Sequence, residues 1–121
     1  MSEDLASRRC EPCAAGTAPL AGARLQQLTL QLPGWSVVQM GPPGVGGGSR
    51  LEKEYRFPDF RQALAFVNRV GEIAEQEGHH PDFELGWGRV KLALWTHSIG
   101  GLSENDCILA AKADRALASA S

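Results

Sequence analysis

Between Phe57 and Trp87 the spacing of apolar residues changes from helical to extended, and the change falls across Gly78-His79-His80-Pro81. Upstream, Phe60, Ala63, Val67, Val70 and Ala74 recur at three- and four-residue intervals, with Phe66 and Ile73 widening the stripe. That is the pattern of a helix with one buried side. Asp59 with Gln62 three residues later resembles a capping box at its start. Gly78 closes it, because glycine reaches the left-handed conformation that ends helices. Pro81 then pushes His80 toward extended geometry, and Asp82 to Trp87 reads as a strand whose end is loosened by Gly86 and Gly88.

The flanking chain supplies matching pieces. Leu20 to Leu32 makes an imperfect helical stripe stopped by Pro33-Gly34. Trp35 to Met40 and Arg50 to Phe57 read as two strands, the second with Leu51, Tyr55 and Phe57 on one parity and charges at Glu52 and Glu54. Residues 41–49, Gly-Pro-Pro-Gly-Val-Gly-Gly-Gly-Ser, join them as a long glycine-rich hairpin tip. Arg89 to Thr96 alternates cleanly, with Val90, Leu92 and Leu94 against Lys91, Ala93 and Trp95. Ile99-Gly100-Gly101 is a turn. Ser103 opens the last helix, with Asp106 in a capping-box position and Leu109, Ala113, Ala116 and Leu117 as its apolar side. The order α-β-β-α-β-β-α predicts an α+β domain, a four-stranded antiparallel sheet with helices packed on one face. Residues 1–18 are expected to form a loosely held arm, and 19–121 one domain. The sheet's edges and uncovered face must be hidden or polar, which favours a self-associating chain.

Composition narrows the function. A length of 121 residues suits a single domain, and 12 basic against 14 acidic residues give a net charge of −2. That balance argues against a bulk electrostatic grip on nucleic acid or an anionic membrane. No apolar run is long enough to span a bilayer and no secretory signal is evident, so a cytoplasmic location is expected. Cys10, Cys13 and Cys107 do not make a disulfide framework, and Cys10-Glu11-Pro12-Cys13 is a lone C-x-x-C without the second ligand pair of structural zinc.

All three histidines fall at two neighbouring strand ends: His79 and His80 before one strand, His97 after the next. Adjacent side chains in extended chain point to opposite sides, so His79 and His80 should not share a role. One reading is local hydrogen bonding at a helix-to-strand junction. A metal site is another, but adjacent histidines place their rings poorly for it. A third is proton transfer, for which histidine is suited near neutral pH. Glu75, four residues before His79, is placed to orient its ring or to stand solvated at the helix end. Asp106 reads first as a helix cap, and a capping carboxylate can also face a pocket. Trp35, Trp87 and Trp95 read as core or interface residues.

The run Glu75-(three residues)-His79-His80-Pro81-Asp82-Phe83, then Trp95-Thr96-His97, then Gly101-Leu102-Ser103-Glu104-Asn105-Asp106 resembles the pterin-4a-carbinolamine dehydratase family. Gly34-Trp35 and the helix Phe60 to Val70 fit as well, so the resemblance covers residues 20 to 117; the Cys10/Cys13 arm resembles bacterial members. The resemblance implies dehydration of 4a-hydroxy-tetrahydropterin to quinonoid dihydropterin, without metal or redox cofactor, coupled to an aromatic amino acid hydroxylase and performed by a homodimer or homotetramer. It also implies that His79, His80 and His97 are catalytic, that Glu75 is a carboxylate partner and Asp106 an active-site aspartate. The segments His79 to Pro81 and Thr96, His97, Ser98 and Ile99 would contact substrate. Phe83 stands where many members have tryptophan. On this basis His79, polarised by Glu75, and His97 are expected to exchange protons with substrate while His80 positions it. Two alternatives go with the family: a non-catalytic dimerisation cofactor of transcription, or a dehydratase for a molybdopterin-related pterin.

Overall fold

The computed structural model describes residues 5–10, 18–39 and 48–119. Cys13 and residues 41–47 of the glycine-rich tip lie outside the described residues. Three helices, α1 (Gly22–Thr29), α2 (Phe60–Glu77) and α3 (Glu104–Ser119), alternate with strands β1 (Ser36–Gln39), β2 (Ser49–Arg56), β3 (Asp82–Gly86) and β4 (Arg89–Leu94) in the expected order. The strands form one antiparallel sheet in the order β1-β2-β4-β3.

Register decides which face is apolar. Leu51 lies opposite Leu94, Tyr55 opposite Val90, and Phe83 opposite Leu92. These side chains share the face on which α2 and α3 pack. The other face carries charge in cross-strand pairs: Lys91 reaches Glu52 at 3.2 Å and Glu84 at 3.8 Å, and Arg89 reaches Glu54 at 3.5 Å. Burial alone would raise the Glu52 carboxyl, but hydrogen bonds from Arg50 and Lys91 outweigh it and hold Glu52 below the usual carboxylate range. The uncovered face is thus made polar.

Helix α2 forms as its pattern dictates. Asp59 accepts from the Gln62 N–H at 2.8 Å, and Gly78 closes the helix at φ 66°, its N–H shared between Ala74 O and Glu75 O. Ala63, Phe66, Val70 and Ala74 are buried, whereas Phe60 is 43 % exposed. The buried stripe centres on Phe66 rather than Phe60. Tyr55 and Phe57 pack on Phe66 with ring centroids 4.6 and 5.3 Å away. α1 is shorter than its apolar stripe, ending at Thr29 and turning through Leu30, whose side chain is exposed.

One polar lock crosses this core. Asp114 on α3 accepts from Tyr55 Oη at 2.6 Å, Lys53 Nζ at 2.8 Å and Trp35 Nε1 at 3.1 Å. Within the stretch read as an arm, Leu5–Ser7 forms a 3-10 turn against α3, with Leu5 and Ala6 buried.

Candidate active site

The helix-to-strand junction and the end of β4 meet at the start of α3. His79 follows Gly78, and its N–H donates to Ala74 O at 3.2 Å. Its ring Nε2 lies 2.5 Å from Asp106 Oδ1, with the Asp106 side chain wholly buried and the His79 side chain 13 % exposed. The second Asp106 oxygen, Oδ2, accepts from Thr96 Oγ1 and from the Ser103 N–H, both at 2.9 Å. Thr96 Oγ1 is also 2.7 Å from Ser103 Oγ. A hydroxyl has one proton. Thr96 gives its proton to Asp106, so Ser103 donates to Thr96. As a carboxylate Asp106 only accepts, so His79 Nε2 carries the proton of their hydrogen bond. In the neutral ring Nδ1 then holds the lone pair.

Asp106 therefore has two jobs. Its Oδ2 takes the Ser103 N–H, the reach-back half of the capping box. Its Oδ1 orients a histidine. The expected Glu75–His79 pairing is not what forms: Glu75 Oε1 lies 2.6 Å from His80 Nε2, in a pair that is largely exposed. The physical reason is the left-handed Gly78, which turns the chain so that His79 points inward to α3 and His80 faces back over the last turn of α2. The two histidines take different carboxylates, as the extended geometry at Pro81 predicts.

Of the other candidates, Pro81 and Thr96 are buried, and the Thr96 hydroxyl is committed to the Asp106 network. His97–Ile99 forms a 3-10 turn closed by Gly100. His97 is exposed and stacks on Trp95 with ring centroids 4.6 Å apart, Ser98 is exposed and Ile99 half-buried. Backbone hydrogen bonds between Thr96 and Gly101, at 2.8 and 3.4 Å, pinch this turn shut. His97 is tied to the His79 corner through its neighbour Thr96. Trp35 is core, whereas Trp87 is 71 % exposed.

Two neighbours of the site escaped the sequence reading. A Cβ on Gly48, at φ 74°, would stand 1.9 Å from Gly100 O, so the end of the glycine-rich loop presses on the turn after His97. Glu77, two residues before His79, is the other. Repeated glycine was the available signal for the first; nothing in spacing announces the second. Neither described thiol is a nucleophile near neutral pH: burial, then the charge of Glu77, pushes Cys10 up to about 12, and burial, then Asp106, does the same to Cys107. Among the described residues, no three His, Cys, Asp or Glu side chains converge to hold a metal, and no helix is long and apolar enough to cross a membrane.

The fold is a small α+β domain in which one buried carboxylate, Asp106, holds a histidine at a helix-to-strand junction, while a second histidine–carboxylate pair stays exposed. Residues 18–116 match the family model described as pterin 4 alpha carbinolamine dehydratase. A protein named "Putative pterin-4-alpha-carbinolamine dehydratase" from Rubrobacter xylanophilus is 50 % identical over 115 residues, 95 % of this chain and 99 % of the relative. One of the same name from Chlorobium limicola is 50 % identical over 109 residues, 90 % of this chain and 92 % of the relative. A crystal structure of a transcriptional coactivator/pterin dehydratase from Brucella melitensis superposes with TM-score 0.69 at 28 % identity, covering 81 % of this chain and 97 % of that one. The chain belongs to the pterin 4 alpha carbinolamine dehydratase family.

Proposed function

We propose that this protein is a hydro-lyase that converts 4a-hydroxy-tetrahydropterin to quinonoid dihydropterin and water, in the recycling of the pterin used by aromatic amino acid hydroxylases. The observation that carries the proposal is the His79–Asp106 pair, its carboxylate wholly buried and its histidine 13 % exposed, in a chain of this family. The reaction breaks the C4a–O bond, removes the N5 proton and forms the C4a–N5 double bond. It is redox-neutral and needs one group to protonate the departing oxygen and one to accept the nitrogen proton. His79, oriented by Asp106, is one of the two. His97, stacked on Trp95 and next in sequence to the Thr96 that bonds Asp106, is the other. His80, paired with Glu75 at the exposed rim, positions the pterin. Proton transfer by positioned histidines is worth about 10²–10⁴ in rate each.

The test is a stopped-flow assay of carbinolamine loss with wild type, His79→Ala and His97→Ala. Acceleration over buffer by wild type, reduced about 10²-fold or more in each variant, is the expected result. Full activity in folded His97→Ala removes its role. No acceleration by wild type removes the dehydratase reading.

A further inference from the structure

Glu77 ends α2, two residues before His79, and the chemistry above leaves it unused. Its side chain is only 7 % exposed. It also sits at a helix C-terminus, where the aligned peptide dipoles disfavour negative charge. A carboxylate in such a place needs partners that outweigh both penalties. Two other parts of the chain supply them. The Cys10 N–H donates to Glu77 Oε1 at 2.8 Å. Arg9 Nε lies 3.4 Å from Oε2, and Lys112 Nζ on α3 lies 3.8 Å from the same oxygen. Glu77 also lines a cleft of about 290 Å³ between α2 and α3, with Ala6, Arg69, Ile73 and Lys112 among its walls. No histidine lines that cleft.

The segment that grips Glu77 also grips the start of α3. Arg8 Nη1 is 3.0 Å from Glu104 Oε1, and Cys10 Sγ is 3.6 Å from Asn105 O. Lys112 Nζ donates to Ala6 O at 2.9 Å, and Leu5 and Ala6 are buried. Glu104 and Asn105 immediately precede Asp106. Residues 5–10 therefore tie together the two helix ends from which His79 and Asp106 meet.

We propose that Glu77 is a positioning residue that, with residues 5–10 as a strap, fixes the end of α2 against the start of α3 and so sets the geometry of the His79–Asp106 hydrogen bond. This inference rests on the dehydratase reading of that pair. A shift of about 1 Å in a catalytic group can cost about 10²-fold in rate.

The experiment compares full-length Glu77→Ala, Glu77→Gln and Val90→Ala, the last a buried residue at the opposite end of β4. Dehydration kinetics are read beside the NMR resonance of the His79 Nε2 proton. Glu77→Ala is expected to lose about 10- to 100-fold in kcat with KM little changed, and to shift or broaden the His79 resonance. Glu77→Gln keeps an acceptor for the Cys10 N–H but sets an amide NH2 where Oε2 faced Arg9 and Lys112, and recovers part of both. Val90→Ala loses stability but keeps kcat and the resonance. Should Glu77→Ala not fold, Arg9→Glu takes its place. Arg9 is 76 % exposed, and the new carboxylate repels the strap from Glu77, with a smaller loss of the same kind. Wild-type kcat and an unmoved His79 resonance in the folded variant overturn the proposal. A moved resonance in a protein whose wild type does not dehydrate the carbinolamine sinks the dehydratase reading and leaves the strap standing.

Discussion

Asp106 caps a helix and orients a histidine with one side chain. Its Oδ2 accepts from the Thr96 hydroxyl and the Ser103 N–H, and its Oδ1 faces His79 Nε2. Asp106→Asn is nearly isosteric but carries one acceptor oxygen where the carboxylate has two. The fixed Ser103 N–H, joined by the Thr96 hydroxyl, holds that oxygen on its own side, so the amide NH2 turns toward His79 and forces Nε2 to become the acceptor. The ring then presents the opposite tautomer to substrate. We expect a folded variant with kcat reduced by about 10²–10⁴, and a His79 tautomer exchanged in nitrogen NMR. A variant with wild-type kcat and an exchanged tautomer would show that the tautomer is not what Asp106 contributes. At this scale the sequence displayed the histidines and the capping aspartate but mispaired them. Glu75 sits one helical turn before His79, the spacing at which helix neighbours meet. That spacing stops applying once Gly78 leaves the helix.

The elements were legible because their periods are strong. β4 alternates half-buried and buried residues along its whole length, and α2 carries a cap at each end. What periodicity does not carry is how loops press on elements distant in sequence. Gly48 and Gly100 are 52 residues apart in number and in contact in space. Gly48→Ala adds a clash to a positive φ, so it is expected to cost about 1–3 kcal/mol and to lower kcat by displacing the turn that holds His97. Gly71, inside α2 with open space at its missing Cβ, makes the comparison. Gly71→Ala should stabilise by about 0.4–1 kcal/mol with kcat unchanged. Urea unfolding and the dehydration assay on the two variants check this; equal behaviour of both would mean that the Gly48 contact does not brace the site.

For the molecule as a whole, the buried acids set an alkaline limit. Burial, then the hydrogen bond and charge of Asp114, raises the Tyr55 hydroxyl well above its ordinary 10.0, and Cys107 rises from 9.0 to about 12. Both groups stay neutral in the folded chain at a pH where the unfolded chain has ionised. Each therefore contributes stability that is fully present below the unfolded value and is lost as pH rises past it. The urea midpoint should hold from neutral pH to about pH 8–9 and then fall. Tyr55→Phe should cost about 1.5–3 kcal/mol at neutral pH, by removing a hydrogen bond to a carboxylate, and should flatten the decline near pH 10. An undiminished decline in that variant would assign it to other groups. The sequence by itself determined the element order, the helix-bearing face of the sheet and the set of histidines and carboxylates, because hydrophobic period and capping chemistry are local. Only the tertiary structure decided which carboxylate serves which histidine, that Glu77 is clasped by residues 5–10, and that the glycine-rich loop ends against the His97 turn. Those partners are brought together by the crossing of α2, α3 and β4, and no spacing along one chain encodes the direction in which a side chain leaves a left-handed turn.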